Sequence, residues 1–286
     1  FDRFILEQMA GDLLADRNFM TQVASGYNRN HRINSEGGSI PDEWIVEYVA
    51  DRVETLGTTF LGLTMNCARC HDHKYDAVSQ EDFYSLFAFF NGIDEAGLGP
   101  NNGNSPPFIP VPKSWPELKP AENKFVVPAK MQIKVVQTSV PRPQSGGANT
   151  VMVMHELPKP RPTYVLERGL YDRPDKARKL QPAVPEVIGG WKKEWPVNRI
   201  GLAKWLTDPA HPLTARVTVN RIWQRLFGLG LVKTSENFGV QGEHPSHPKL
   251  LDWLATEFIR GGWDLKATYK MLVTSATYRQ SSVGHS

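Results

Sequence analysis

Both cysteines of the 286-residue chain fall in the stretch NCARCHDHKYD, residues 66–76, together with two of its eight histidines. Cys67, Cys70 and His71 fit Cys-x-x-Cys-His, the attachment signature of c-type haem. The chemistry needs this spacing, because two thiols add to the two vinyl groups of one porphyrin and the next residue brings an imidazole to the iron from one face. On this reading Cys67 and Cys70 carry one covalent haem c, and His71 is the proximal ligand of the iron. A shuffled chain of the same composition would contain the five-residue pattern about once in a few thousand sequences, a measure of its false-positive risk.

Three other chemistries suit the same residues. A thioredoxin-like dithiol would follow a strand in a βαβ unit, whereas here a helical pattern precedes the cysteines. A zinc site would take Cys67, Cys70, His73 and a remote histidine. Such sites usually announce a second ligand pair, and His244 and His247, though suitably spaced, each precede a proline in a polar turn. The plainest alternative is two buried thiols that pack as small apolar groups.

If haem is bound, the sixth iron position is either open or filled by His or Met, and that choice separates catalysis from electron transfer. His73 is too near His71 to cross the porphyrin, and is expected to bond locally to Asp72 or Asp76. The remaining candidates are His31, Met65, Met131, Met152, Met154 and His155. Met154 and His155 are the leading distal pair, on opposite faces of an expected strand. Met152 and Met154 would share a face there, where core filling is the plainer account. Asp72, Asp76 and Glu81 read as solvated caps that could also gather a cation, and Glu36-Gly37-Gly38 as a turn. Asn220 and Arg221, beside Trp223, are placed to tie two helical layers together.

The elements that position these residues follow from apolar spacing. Residues 1–24 read as one helix with Ile5, Met9 and Leu13 on a face. A polar loop punctuated by Gly37, Gly38 and Pro41 leads to a long helix from about Asp42, whose Ile45, Val49, Val53, Leu56, Phe60 and Leu63 run directly into the motif. A further helix is expected from Gln80 to Asn91, carrying Phe83, Leu86, Phe87 and Phe90. Between residues 100 and 196 lie 17 of the 22 prolines, a density that excludes long helices. The runs KMQIKVVQTSV, NTVMVMHEL and RPTYVLERG within it predict a small antiparallel sheet. After a linker at 189–199, helices are expected over 200–208, from a Thr214 cap to Gly228, from Pro248 to Gly261, and from an Asp264 cap through Leu272.

The fold expected is mainly α with a small antiparallel β insertion, an α+β chain with the haem motif between two amphipathic helices. Three regions follow: a helical haem-motif region over 1–95, a Pro-rich segment with the sheet over 96–198, and a second helical region over 199–286. Lys plus Arg number 33 against 30 Asp plus Glu, a balance of +3 that gives no electrostatic case for nucleic acid as the main partner. No apolar run approaches the roughly 20 residues of a membrane span. The opening at Phe1, already helical in pattern, reads as that of an excised piece or a mature fragment.

The motif with its flanks resembles the planctomycete-type cytochrome c proteins, in which a haem-motif domain of unknown function precedes a second, largely helical one. The segments that carry the likeness include FDRFILEQMAGDLL, NSEGGSIPDEW, VMVMHELPKPRPTYVLERGLYDRP and LVTSATYRQSS, with the long stretches around the motif and over residues 198–259. The resemblance implies an exported protein, periplasmic or extracellular, whose partner is a redox protein or an additional cytochrome domain. Relatives commonly show histidine where this chain has Asn28, and their longer inserts fall between about 95 and 150. The expected function is therefore electron transfer, or service as the haem module of a larger oxidoreductase. The alternatives are an enzyme working at an open haem or a haem-free metal, with extracellular polysaccharide as a substrate class, and a structural module of an extracytoplasmic assembly.

Overall fold

The computed structural model describes residues 1–112, 118–119, 124–125, 147 and 149–281. Met131 and the strand expected over 130–140 lie outside them. Eight α-helices and three two-stranded antiparallel sheets form among the described residues.

The opening helix is two helices, α1 (Asp2–Ala10) and α2 (Phe19–Ser25). The break has two causes. A β-carbon at Gly11 would lie 1.9 Å from Thr21 O, so α2 crosses there against bare backbone. Asn18 then starts α2 afresh, its Oδ1 accepting from Met20 N and Thr21 N. The long helix also ends early. Helix α3 (Pro41–Leu56) begins on proline with Asp42 and Glu43 in its first turn, then widens into a π turn over Gly57–Leu61. At Gly57 a side chain would strike Met65, and Gly62, at φ +61, turns the chain back under the Phe238 ring. A short 3-10 turn, Asn66–Arg69, carries Cys67 and ends on Cys70 as its cap, in place of the expected end of a helix. Helix α4 (Gln80–Ala88) stops three residues short of Asn91, and Ser79 and Asp82 cap it reciprocally.

In the middle of the chain β1 (Phe108–Pro110) pairs with β4 (Thr150–Met152), from Phe108 opposite Met152 to Pro110 opposite Thr150. Strands β2 (Leu118–Lys119) and β3 (Lys124–Phe125) pair between them in sequence. Strand β5 (Thr163–Leu166) pairs with β6 (Pro174–Leu180) through an irregularity at Tyr164/Val165. The expected strand around Met154 ends at Met152, and Val153 and Met154 are both buried, so alternation is lost there.

The second helical part comprises α5 (Arg199–Leu206), α6 (Thr214–Phe227), α7 (Pro248–Arg260) and α8 (Leu265–Val273). Asp264 caps α8 through Ala267 N, and Gly228 closes α6 at φ +85. Thr214 is the first residue of α6 rather than its cap. Two main cores result. The larger joins α1, α3 and α4 to Met65, Ala68, Met154, Val165 and the inner face of α5, with Trp205 among its largest members. The smaller joins α6, α7 and α8 around Ile222, Leu254, Phe258 and Trp263.

Cross-links between the parts are polar as well as apolar. Arg199, wholly buried on α5, donates to Asp12 at 2.8 and 2.6 Å, to Met9 O at 2.8 Å and to Glu156 at 3.2 Å. Arg221 on α6 reaches the carbonyls of Thr58 and Thr59, which leave the α3 end without intrahelical partners. Asn220 bonds within its own part, to both backbone groups of Val232.

Candidate functional site

The motif turn has one side in the core and one side in solvent. Met65 and Ala68 are fully buried, while Cys67, Cys70 and His71 are exposed and both thiols are free. Alternation within the turn therefore presents the three chemistry-bearing residues outward together. The alternative of two buried, inert thiols does not describe them.

The turn is held from beneath by α3 and α4. Glu54 Oε2 accepts from Met65 N at 2.8 Å and Asn66 N at 2.7 Å, meeting the orphan donors at the start of the 3-10 turn. Burial pushes the Glu54 carboxyl above its ordinary pKa, against the pull of those two N–H groups. The Arg69 carbonyl accepts from Gln80 Nε2 and from the Tyr84 hydroxyl, both at 3.0 Å. Burial pushes the Tyr84 phenol well up, so it stays a neutral donor. On the other side Arg69 pairs with Glu47, whose carboxyl that hydrogen bond holds low, and donates to Gly169 O at 3.2 Å.

His71 Nδ1 lies 2.7 Å from Asp72 O. A carbonyl only accepts, so Nδ1 carries the proton and the Nε2 lone pair is the free one. A ligating histidine generally has this arrangement, its second nitrogen donating to a backbone carbonyl. Two exposed thiols and an imidazole so oriented, in one turn, fit what covalent haem attachment requires of a chain.

His73 behaves differently. Its Nδ1 accepts from Asp76 N at 2.8 Å, and its side chain is 3% exposed. Asp76 in turn accepts from Val240 N at 2.6 Å, tying the motif loop to the second helical part, and Phe238 N bonds Gly62 O beside it. Asp76→Ala is expected to lower stability by about 1–3 kcal/mol through loss of the hydrogen bond from Val240 N–H to a charged carboxylate. Urea unfolding and hydrogen exchange at Val240 check this; wild-type protection at Val240 would show that Phe238 alone holds the loop.

The sequence-derived distal candidates do not lie on the turn's exposed face, and Met154 shares the larger core with Met65 and Ala68. Met154 is 1% exposed in the larger core, with its N–H on Ser25 Oγ at 3.0 Å, and His155 is half-buried with its carbonyl on Asp94 N. The motif turn packs on α3 and α4, whereas β4 packs on the turn that follows α2. Met65 is fully buried and Met152 half-buried. His31 has both ring nitrogens engaged, Nδ1 on Arg32 O and Nε2 on Arg52, and it stacks on Tyr48. Glu81, Asp72 and Asp76 do not converge. Among the described residues no group of three or more His, Cys, Asp or Glu side chains is placed to hold a metal ion.

A buried charge cluster escaped the sequence reading. Glu95 takes both terminal nitrogens of Arg52 at 2.5 and 2.6 Å and has Arg29 Nε at 3.7 Å. Arg29 spreads its other nitrogens over the carbonyls of Ser105, Pro106, Pro107 and Val153. Burial would raise the Glu95 carboxyl, but Arg52, His31 and Arg29 together hold it well below the carboxylate range, and burial lowers Arg29 to about 10. Nothing in the spacing of these residues, up to 66 positions apart, could have assembled them in advance.

A cleft of about 650 Å³ lies between α4, β6 and the start of α5, lined among others by Phe89, Arg161, Tyr164 and Lys179, and none of the motif residues borders it. No helix among the described residues is long and apolar enough to cross a membrane. No curated protein and no solved structure matches the chain. Residues 1–95 match the family model described as PSCyt2, protein of unknown function (DUF1549), and residues 198–286 match that described as PSD1, protein of unknown function (DUF1553). The two matches fall on one chain, and the two families form a pair typical of planctomycete-type proteins.

Proposed function

We propose that this chain is an exported c-type haem protein that acts in electron transfer or as the haem module of a larger oxidoreductase. One observation carries the reading: Cys67, Cys70 and His71 face solvent from a single turn, and the Asp72 carbonyl fixes the proton of His71 on Nδ1. Cys67 and Cys70 would hold the haem and His71 would ligate its iron, which supplies a one-electron couple. The protein's own part is mechanical: Glu54, Gln80 and Tyr84 hold the turn rigid, and Ala68 anchors it in the core. A redox partner protein, or a further cytochrome domain, would meet the exposed edge. Met154 and His155 stand as the sequence-derived ligands for the opposite face.

Co-expression with a cytochrome c maturation system tests this. The expected product is one haem per chain by intact mass, no alkylatable thiol, and a reduced pyridine spectrum of the c type. Cys67→Ala with Cys70→Ala should abolish the mass increment. Met154→Ala and His155→Ala should change the oxidised absorption spectrum for whichever residue ligates, and unchanged spectra in both would eliminate the pair. Colourless protein with two free thiols would remove the haem reading. It would instead favour a structural module, for which the Asp76–Val240 fastening of the motif loop is the supporting observation.

A further inference from the structure

We infer that the turn over residues 167–170 is a positioning wall for one thioether, with Gly169 setting where the Cys70 sulfur stands. The inference rests on the haem reading. Arg168 is held at φ 52 and Gly169 follows at φ +72, two successive left-handed residues of which the first bears a side chain. Backbone in that region is unfavourable for any residue but glycine, and persists where the surroundings enforce it. Here the surroundings are the motif. A β-carbon at Gly169 would come within 3.1 Å of Cys70 Sγ and equally close to Arg69 Cγ and Nε. Arg69 also donates to Gly169 O, so the motif's own arginine fastens the turn against the motif's second cysteine.

The consequence is an asymmetry between the thiols. Attachment adds each S–H across a vinyl C=C: sulfur bonds the carbon next to the ring and hydrogen goes to the terminal carbon. Nothing leaves and no external oxidant or reductant enters. Cys70 has one flank closed by the Gly169 backbone, so its sulfur can meet a vinyl carbon only from the open side. A β-carbon at Gly169 would force the sulfur to give by a few tenths of an ångström, and glycine meets the turn's left-handed angle without strain.

The test compares wild type, Gly169→Ala and Arg168→Gly after co-expression with the maturation system. Wild type and Arg168→Gly are expected to carry haem with no free thiol. Gly169→Ala is expected to carry haem through Cys67 alone. Its Cys70 should then alkylate, and its pyridine α band should move to longer wavelength because one vinyl group stays conjugated. Two thioethers in Gly169→Ala would overturn the inference and leave the haem reading intact; wild type without haem would remove the haem reading itself. Should Gly169→Ala fail to fold, as judged by circular dichroism, haem-free wild type decides. Its Cys67-to-Cys70 labelling ratio, read by peptide mass, should rise about tenfold from iodoacetamide to a bulky maleimide, the change that about 1.4 kcal/mol of extra crowding gives. A ratio independent of reagent size would overturn the inference.

Discussion

Glu95→Gln is expected to lower the free energy of unfolding by about 3–5 kcal/mol, the usual result of removing one partner from a buried ion pair. Glutamine keeps the size and one acceptor, but leaves Arg52 and Arg29 buried without the anion that both face. The side chains of all three residues are at most 2% exposed, so solvent cannot take over the lost partner. The pH dependence has a definite sign. Because the Glu95 carboxyl is held below its ordinary value of 4.5, its stabilisation is complete above that value and disappears as pH falls through the lower folded one. Neutral-range stability therefore carries the whole contribution. Urea midpoints at pH 7 measure the loss, with Glu243→Gln as control, since the Glu243 pair with Lys233 is more than half exposed on both sides. A Glu95 variant no weaker than that control would show that the cluster is not a stabilising element.

His211 gives the second large effect. Its Nδ1 accepts from Leu213 N and Thr214 N, both at 3.2 Å, at the start of α6, and Trp205 meets its ring edge-on at 4.5 Å. The imidazole is thus a neutral cap, with its proton on a buried Nε2 that has no partner. Protonation would remove the acceptor and place a cation at the positive end of a helix. Burial lowers this histidine to about 4 from 6.5, against the attraction of Asp208. Between those values the unfolded chain binds a proton that the folded chain refuses. Stability is full above pH 6.5 and falls toward pH 4 at up to about 1.4 kcal/mol per unit, about 3 kcal/mol in all. Denaturation curves from pH 7 to 4.5 should show this slope in the wild type and lose it in His211→Asn, which keeps an acceptor and does not titrate. Parallel slopes would mean that another group controls acid stability.

Much of the helical layout is legible in the chain. Apolar spacing places α4 and α5 to α8, and Asp264 and Gly228 mark their ends where local rules put them. The two overlong helices at the start of the chain share one cause, since the apolar period runs on across Gly11 and across Gly57, where close contacts, not local preference, turn the chain. Those contacts involve Thr21 and Met65, which only the fold brings near. The motif was legible as a pattern, but its outward presentation was not, because that depends on Ala68 facing α4 while its neighbours face away. Charged residues gave least. Arg29, Arg52, Glu95 and Arg199 carry no mark of burial in the sequence, and each acquires it from partners far along the chain.

The pairing of β1 with β4 bears on how this architecture can vary. Val111 N bonds Asn149 O at 2.8 Å, so positions 111 and 149 are held side by side at the end of the ladder. Whatever length runs between those two points, the body sees the same threshold. Doubling such an excursion costs only about 0.6 kcal/mol of closure entropy. A new module could therefore be spliced in at this position while the helices on either side kept their places.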